Sequence, residues 1–161
     1  MAIRPPTDQE VWQAGGAVQL TGPIGQSLRG PSFIGLQVPH CEMPMVLAGV
    51  ARLLLEDRVI YCADACNRFD VYRLSHWART MGMDPAMLLD RVYLSRAFTI
   101  HQLSALASEK LACLSAEPRP PLVVVLGIES LFLDEQLPRF ERTHHFRKTL
   151  RALADLRRRG F

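Results

Sequence analysis

The chain has 161 residues, 48% hydrophobic and 22% charged, with a formal net charge of +3; that is enough for one domain with its own core and too little for two ordinary ones. No apolar run approaches the ~20 residues of a membrane-spanning helix, and the N-terminal MAIRPPTDQEVWQAGG lacks the apolar stretch of a secretory signal. The four cysteines, Cys41, Cys62, Cys66 and Cys113, follow no disulfide framework, so a cytoplasmic chain with reduced thiols is expected rather than a membrane protein or a stapled secreted scaffold.

Residues 1–31 contain Pro5, Pro6, Gly15, Gly16, Gly22, Pro23, Gly25, Gly30 and Pro31, which interrupt any periodic pattern. They read as an irregular N-terminal arm, and residues 32–161 as a single core domain. Within that core, strand-like apolar runs alternate with helical patterns. SFIGLQV, 32–38, is the first strand. Pro44 then suits the first turn of a helix reaching Asp57, with Val46, Leu47, Val50, Leu53 and Leu54 as its apolar stripe. RVIYCAD, 58–64, has the pattern of a short buried strand. Asp70 precedes a helix with Val71, Leu74 and Trp77 on its apolar side and Gly82 as a stop signal, and Asp84-Pro85 opens a short helix to Leu89.

RVYLSRAF, 91–98, is the third strand, and Thr99 suits the N-cap of the helix IHQLSALASEKLACL. Pro118, Pro120 and Pro121 break the chain before LVVVLGI, the fourth and most apolar strand. A long helix follows from about Gln136 to Arg159. From Arg139 onward the sequence holds eight basic residues against only Glu141 and Asp155, so this segment carries more positive charge than the whole chain and the remainder is net acidic. An acidic partner would be drawn to it. Strands alternating with helices predict an α/β domain with a mostly parallel sheet flanked by helices. Cys62 and Cys66 stand four apart and His40 precedes Cys41, but no paired C-x-x-C spacing occurs; these read as small buried apolar residues, and no metal is expected.

Over roughly residues 32–161 the sequence resembles the RecA/RadA recombinases and their paralogues, on three local matches. VIYCADACNRFDVYRL resembles the family's second core strand and its continuation, with Asp64, Phe69, Arg73 and Leu74 on matching positions. MDPAMLLDRVYLSRAFTIHQLSAL is the most specific of the three and resembles a RadA-type run through Pro85, Leu89, Arg96, Ala97, Phe98, His101 and Gln102. LVVVLGIESLFLDEQLPRF with the basic helix after it resembles the Walker B strand, the first DNA-binding loop and the following helix.

The resemblance implies a RecA-like P-loop NTPase core. In that fold a Gly-rich loop after the first strand lets backbone amides approach the phosphates, a Lys reaches the terminal phosphates and a Ser/Thr serves magnesium. Here the place is taken by Val38, Pro39, His40, Cys41, Glu42, Met43, Pro44 and Met45. It contains no glycine, Pro44 stands for the Lys and Met45 for the Ser/Thr, and a proline has no amide to donate. Leu126 falls where the Walker B strand should end in an acidic residue, with Glu129 three residues further on, and Cys66 falls where the catalytic base belongs. A thiol of unperturbed pKa ~8.5 is a poor substitute for a carboxylate there. Phosphoryl transfer needs these parts together, so a chain without ATPase activity, catalytic residues or bound cofactor is expected.

The expected role is that of a non-catalytic accessory protein in DNA recombination or repair, a scaffold for a partner protein. DNA is a further candidate ligand through Arg139, Arg142, Arg147, Lys148 and Arg151, although Asp134 and Glu135 weigh against it. The alternative is a pure protein-interaction subunit of a polymerase, helicase or recombinase complex without DNA contact, docked through the N-terminal arm. The sequence ends at RRRGF, where the family would begin another core strand. A core reduced at its C-terminal end is therefore expected, either naturally or because the sequence is a shortened one, and an open sheet edge would favour homo- or hetero-oligomers. The expected location is the cytoplasm, with nucleoid association if DNA is bound.

Overall fold

The computed structural model describes residues 43–56, 58–115 and 120–161. The predicted arm, the first strand and Val38 to Glu42 lie outside the described residues. In chain order the elements are α1 (Met43–Leu55), β1 (Ile60–Asp64), α2 (Val71–Thr80), α3 (Pro85–Leu89), β2 (Val92–Arg96), α4 (Ile100–Ala105), β3 (Leu122–Leu126) and α5 (Arg139–Arg158). They divide into two compact units, one holding α1, α2 and α3, the other holding the sheet with α4 and α5.

The described helices of the first unit form for local reasons that the sequence displays. Pro44 lies in the first turn of α1, where its missing N–H has no bond to lose, and Leu47, Val50, Leu53 and Leu54 are buried along the expected stripe. The Asp70 carboxylate accepts the Arg73 N–H (3.0 Å) and so caps α2, which buries Leu74, Trp77 and Ala78. Gly82, at φ 74°, releases the chain after α2. Asp84 accepts from Ala86 N–H (2.9 Å), Pro85 opens α3, and Leu88 is fully buried. The Arg91 guanidinium donates to the carbonyl of Leu54 at the end of α1 (3.1 Å).

In the other unit the three strands run parallel in the order β2-β1-β3. β1 is central: Ile60 pairs with Val92 and Leu122, and Asp64 at its far end pairs with Arg96 and Leu126. Side chains alternate across a strand, so Tyr61 and Ala63 share one face and Ile60, Cys62 and Asp64 the other. The first face carries the core beneath α4 and α5. Ala63, Ala97, Ile100, Leu103 and Phe132 form one cluster, and Leu111, Leu153 and Leu156 a second, joined to the first by Val125 and Ile128. Tyr61 stacks on Tyr93, its partner in register (ring centroids 4.7 Å).

Two expectations need correction. The helix predicted from Ile100 to Leu114 is not uniform: after α4 comes a π-helical turn (Leu106–Lys110) and then a 3₁₀ turn (Leu111–Cys113). Leu103, Ala107 and Leu111, all buried, recur every four residues. A regular helix of 3.6 residues per turn would rotate them off the core, and the wider turn keeps them on it. The last helix starts at Arg139 rather than near Gln136. Pro138 disfavours helical geometry at Leu137, and Asp134 instead closes a turn by accepting from Gln136 N–H (2.9 Å).

At the start of α4, Thr99 and Gln102 of the RAF-T-I-H-Q run cap the helix together. Thr99 Oγ1 accepts from Gln102 N–H (3.2 Å), while Gln102 Oε1 accepts from Phe98 N–H (2.8 Å), a reciprocal cap closely related to the capping box. Thr99→Ala and Gln102→Ala should each destabilise the protein by about 1 kcal/mol, and the double variant should cost less than both together, because either change releases the same turn. Urea denaturation of the three variants checks this.

Candidate functional site

The C-terminal end of a parallel sheet is where ligands gather in open α/β folds, and there the structure places Asp64. Its side chain is almost fully buried. Oδ1 accepts from the backbone N–H of Cys66 (3.2 Å) and Arg68 (3.0 Å), Oδ2 accepts from Phe69 N–H (2.9 Å), and Arg96 Nε lies 3.8 Å away. A buried carboxylate is tolerated when charge-assisted bonds replace its water, and these bonds hold residues 65–69 in a tight loop. Asn67 sits in that loop at φ 54°, a conformation that asparagine adopts more readily than most residues. Asp64 is thus the organiser of the loop, with its oxygens already engaged.

Cys66, on the position of the catalytic base, points back at Asp64 and donates its S–H to Oδ1 (3.5 Å). Burial first, and the neighbouring Asp64 charge and hydrogen bond second, push its pKa up to about 11. Burial likewise raises that of Cys62, with Asp64 and Cys66 adding to it. Both side chains are neutral thiols at physiological pH, and neither resembles a reactive cysteine. Leu126 ends β3 beside Asp64, buried, and its carbonyl accepts from Ala65 N–H (2.9 Å). The chain then turns at Gly127 (φ 63°), where an added Cβ would lie 2.4 Å from Cys66 Cβ. Ser130 closes the turn by donating to the carbonyls of Gly127 (2.7 Å) and Ala65 (3.2 Å). Glu129 lies within that exposed turn, beyond the strand end.

The second candidate surface is on α5. Thr149, Leu153 and Leu156 are its buried residues. Arg139, Arg147, Lys148 and Arg151 line one groove, whose opposite wall includes Ser108 and Ala112 from the π-helical and 3₁₀ turns. Phe140 and His144 line it as well. Among the described residues no carboxylate lies within ion-pair distance of these four cations, although Asp155 lies at one end of the groove and is engaged by Arg158.

Of the five basic residues singled out in the sequence, Arg142 is the one that does not line this groove. It is half-buried on another side of α5, with Nη1 directed at the carbonyl of Phe132 (3.4 Å). Conversely, Arg159 lines the groove but was not singled out; its guanidinium donates to the carbonyls of Ala112 and Leu114 and so ties the end of α5 to the 3₁₀ turn. The helical spacing of 140, 144, 147, 148 and 151 was the available signal for the groove face, and on that spacing Arg142 falls out. Met43, Pro44 and Met45 fall in the first turn of α1, while Val38 to Glu42 lie outside the described residues.

The loop held by Asp64 makes definite demands on neighbouring residues. Asp64→Ala, which strips the buried amides of their acceptor, should destabilise by about 3 kcal/mol or more in chemical denaturation. Gly127→Ala should cost about 2–4 kcal/mol from positive φ and the clash with Cys66. A cycle with Cys66→Gly should reveal coupling, since the clash is removed while the φ strain persists. The raised thiol pKa gives a second readout: at pH 8 iodoacetamide should label the exposed Cys113 well before Cys66, and Cys66 labelling should climb only as pH approaches about 11. By linkage, Cys66 favours the folded state fully below its ordinary pKa of 9.0, and this contribution is lost as pH rises through about 11.

The parallel strands follow the alternation of strands and helices, and the strand 60–64 with its continuation and the helix after β3 fall on the segments of the family resemblance. The Rad51 family model matches residues 37–159, most of the chain. No curated protein matches the sequence significantly. The α/β sheet with flanking helices is a RecA-like core, and the chain belongs to the Rad51 family, whose members serve recombination and repair together with partner proteins.

Proposed function

We propose that this chain is a Rad51-family protein without ATPase chemistry, a cytoplasmic scaffold in DNA recombination or repair that binds a partner protein and receives a nucleic-acid backbone in the α5 groove. The observation that carries the reading is the row of Arg139, Arg147, Lys148 and Arg151 on one side of α5 with no carboxylate opposite them among the described residues. From Arg139 to Arg151 the helix rises about 18 Å, roughly the axial rise of five nucleotides of one strand. Cations in such a row neutralise phosphates without reading bases.

The non-catalytic part of the reading is supported by the residues at the ATP-handling positions. Pro44 has no amide for a phosphate, Leu126 has no oxygen for a magnesium shell, and Cys66 keeps its proton at neutral pH. Oligomer formation with a second copy or a paralogue accords with the sheet, since β2 and β3 each pair on one side only among the described residues.

A pure protein-interaction role, without DNA, is favoured by a different observation. Leu133 and Phe140, on either side of the turn that leads into α5, are 69% and 77% exposed. Exposed large apolar residues at and beside the groove, which Phe140 itself lines, suit a protein partner. Fluorescence anisotropy with single- and double-stranded oligonucleotides over a salt series separates the two readings. Binding through four phosphate contacts should give a log–log salt slope of roughly −3 to −4. Arg147→Ala with Lys148→Ala should flatten the slope by about 2, and Arg142→Ala should leave it unchanged. Absence of binding at low salt would reject the DNA reading in favour of the protein partner.

A further inference from the structure

A cluster of metal-ligating side chains lies apart from both surfaces described above. His101, in the first turn of α4, faces Glu141 and His145 of α5, with Nε2 3.0 Å from Glu141 Oε1. The rings of His101 and His145 meet edge to face at 4.4 Å between centroids. One ligand atom from each of the three side chains lies within 4.8 Å of the others. We propose that His101, Glu141 and His145 form a binding site for a divalent transition-metal ion of the zinc class.

Four considerations support this assignment. Glu141 and His145 are one helical turn apart and share a face of α5; this is the spacing by which a single helix presents two ligands to one ion. His101 comes from a helix start fixed by the Thr99–Gln102 cap, and α5 is fixed by Leu153 and Leu156, so all three ligands stand on rigid elements. Two imidazoles and one carboxylate match the donor preference of zinc and its neighbours, whereas magnesium and calcium favour oxygen-only shells. Finally, the close His101–Glu141 approach accounts for only part of the cluster: His145 Nδ1 is enclosed and has no hydrogen-bond partner among the described residues. An enclosed imidazole nitrogen without a partner is costly, and a metal ion held among the three side chains offsets that cost.

Ligand bonds of about 2.0–2.2 Å place tetrahedral donors roughly 3.3–3.6 Å apart. A separation of up to 4.8 Å therefore closes by at most about 1.2–1.5 Å, a rotation available to the His101 side chain, which is 55% exposed. The same exposure leaves a fourth position for water. The ion would join the first turn of α4 to the first turns of α5 and thereby fix the N-terminal end of the basic helix. The cysteines and His40 give no metal-binding spacing, whereas His101 and the Glu141–His145 pair, forty or more residues apart in sequence, meet only through the fold.

The proposal does not depend on DNA binding, and its test uses the full chain after chelator treatment. Calorimetric titration with zinc chloride should show one equivalent bound, and the thermal midpoint should rise with free zinc. His101→Ala and His145→Ala should each weaken binding at least ~10-fold, while His76→Ala, on α2, should not. If an alanine variant fails to fold by circular dichroism, Glu141→Gln, which preserves shape, takes its place. The visible spectrum of the cobalt-substituted wild type should show tetrahedral or five-coordinate nitrogen and oxygen ligation without a thiolate band. Absence of saturable zinc binding, binding that survives loss of His101 and His145, or a cobalt–thiolate band would each overturn the assignment.

Discussion

The Asp64 carboxylate is the constraint around which the sheet end is arranged. β1 is the middle strand, and its last residue is paired on both sides, with Arg96 and with Leu126. A carboxylate buried at that place must find donors, and it finds them in the next five residues of its own chain. The loop is thereby drawn in over the strand end. Cys66 is brought against β3, which leaves Gly127 no room for a side chain, and Ser130 then ties the following turn back to Ala65. One carboxyl group thus dictates the path of two loops. At the end of β1 the described residues present the loop's own amides, a neutral thiol and an aliphatic side chain.

Much of the fold was legible because it follows from local rules. The caps Asp70, Asp84 and Thr99 stand where each helix begins, and the strands 60–64, 92–96 and 122–126 fall within the apolar runs that marked them. What escaped was set by tertiary packing. LASEKLAC reads as ordinary helix, and only the demand that Leu103, Ala107 and Leu111 all face the same core converts it to a π-helical turn. Charge counting treated Arg142 as one more cation, but the side of α5 on which it lies turns it to the Phe132 carbonyl. The groove could not be read from α5 alone, because its other wall comes from residues some thirty positions earlier.

That irregular turn also ties the architecture to the candidate interface. Ser108 and Ala112 belong to the π-helical and 3₁₀ turns, so the same backbone adjustment that keeps Ala107 and Leu111 in the core sets the wall that α5 faces. The 3₁₀ turn then offers its terminal carbonyls to Arg159, satisfying acceptors that a helix end leaves open. Stability and surface shape are two consequences of one four-residue spacing.

The basic character of the C-terminal segment accordingly has two physical origins. Arg157 and Arg158 stand in the last turn of α5 and Arg159 caps it, where positive charge is favoured by the helix dipole. Arg158 engages Asp155 and Arg159 the 3₁₀ carbonyls; Arg142 serves the Phe132 turn. These cations have structural work that accounts for their presence. Arg139, Arg147, Lys148 and Arg151 have none that the described residues supply, and mutual repulsion along one helix side is a cost that no contact among the described residues offsets. Arg139 also stands at the N-terminal end, where the helix dipole disfavours a cation and favours an anion. A bound polyanion relieves both costs at once, which is why the functional reading rests on these four residues and not on the net charge of the segment.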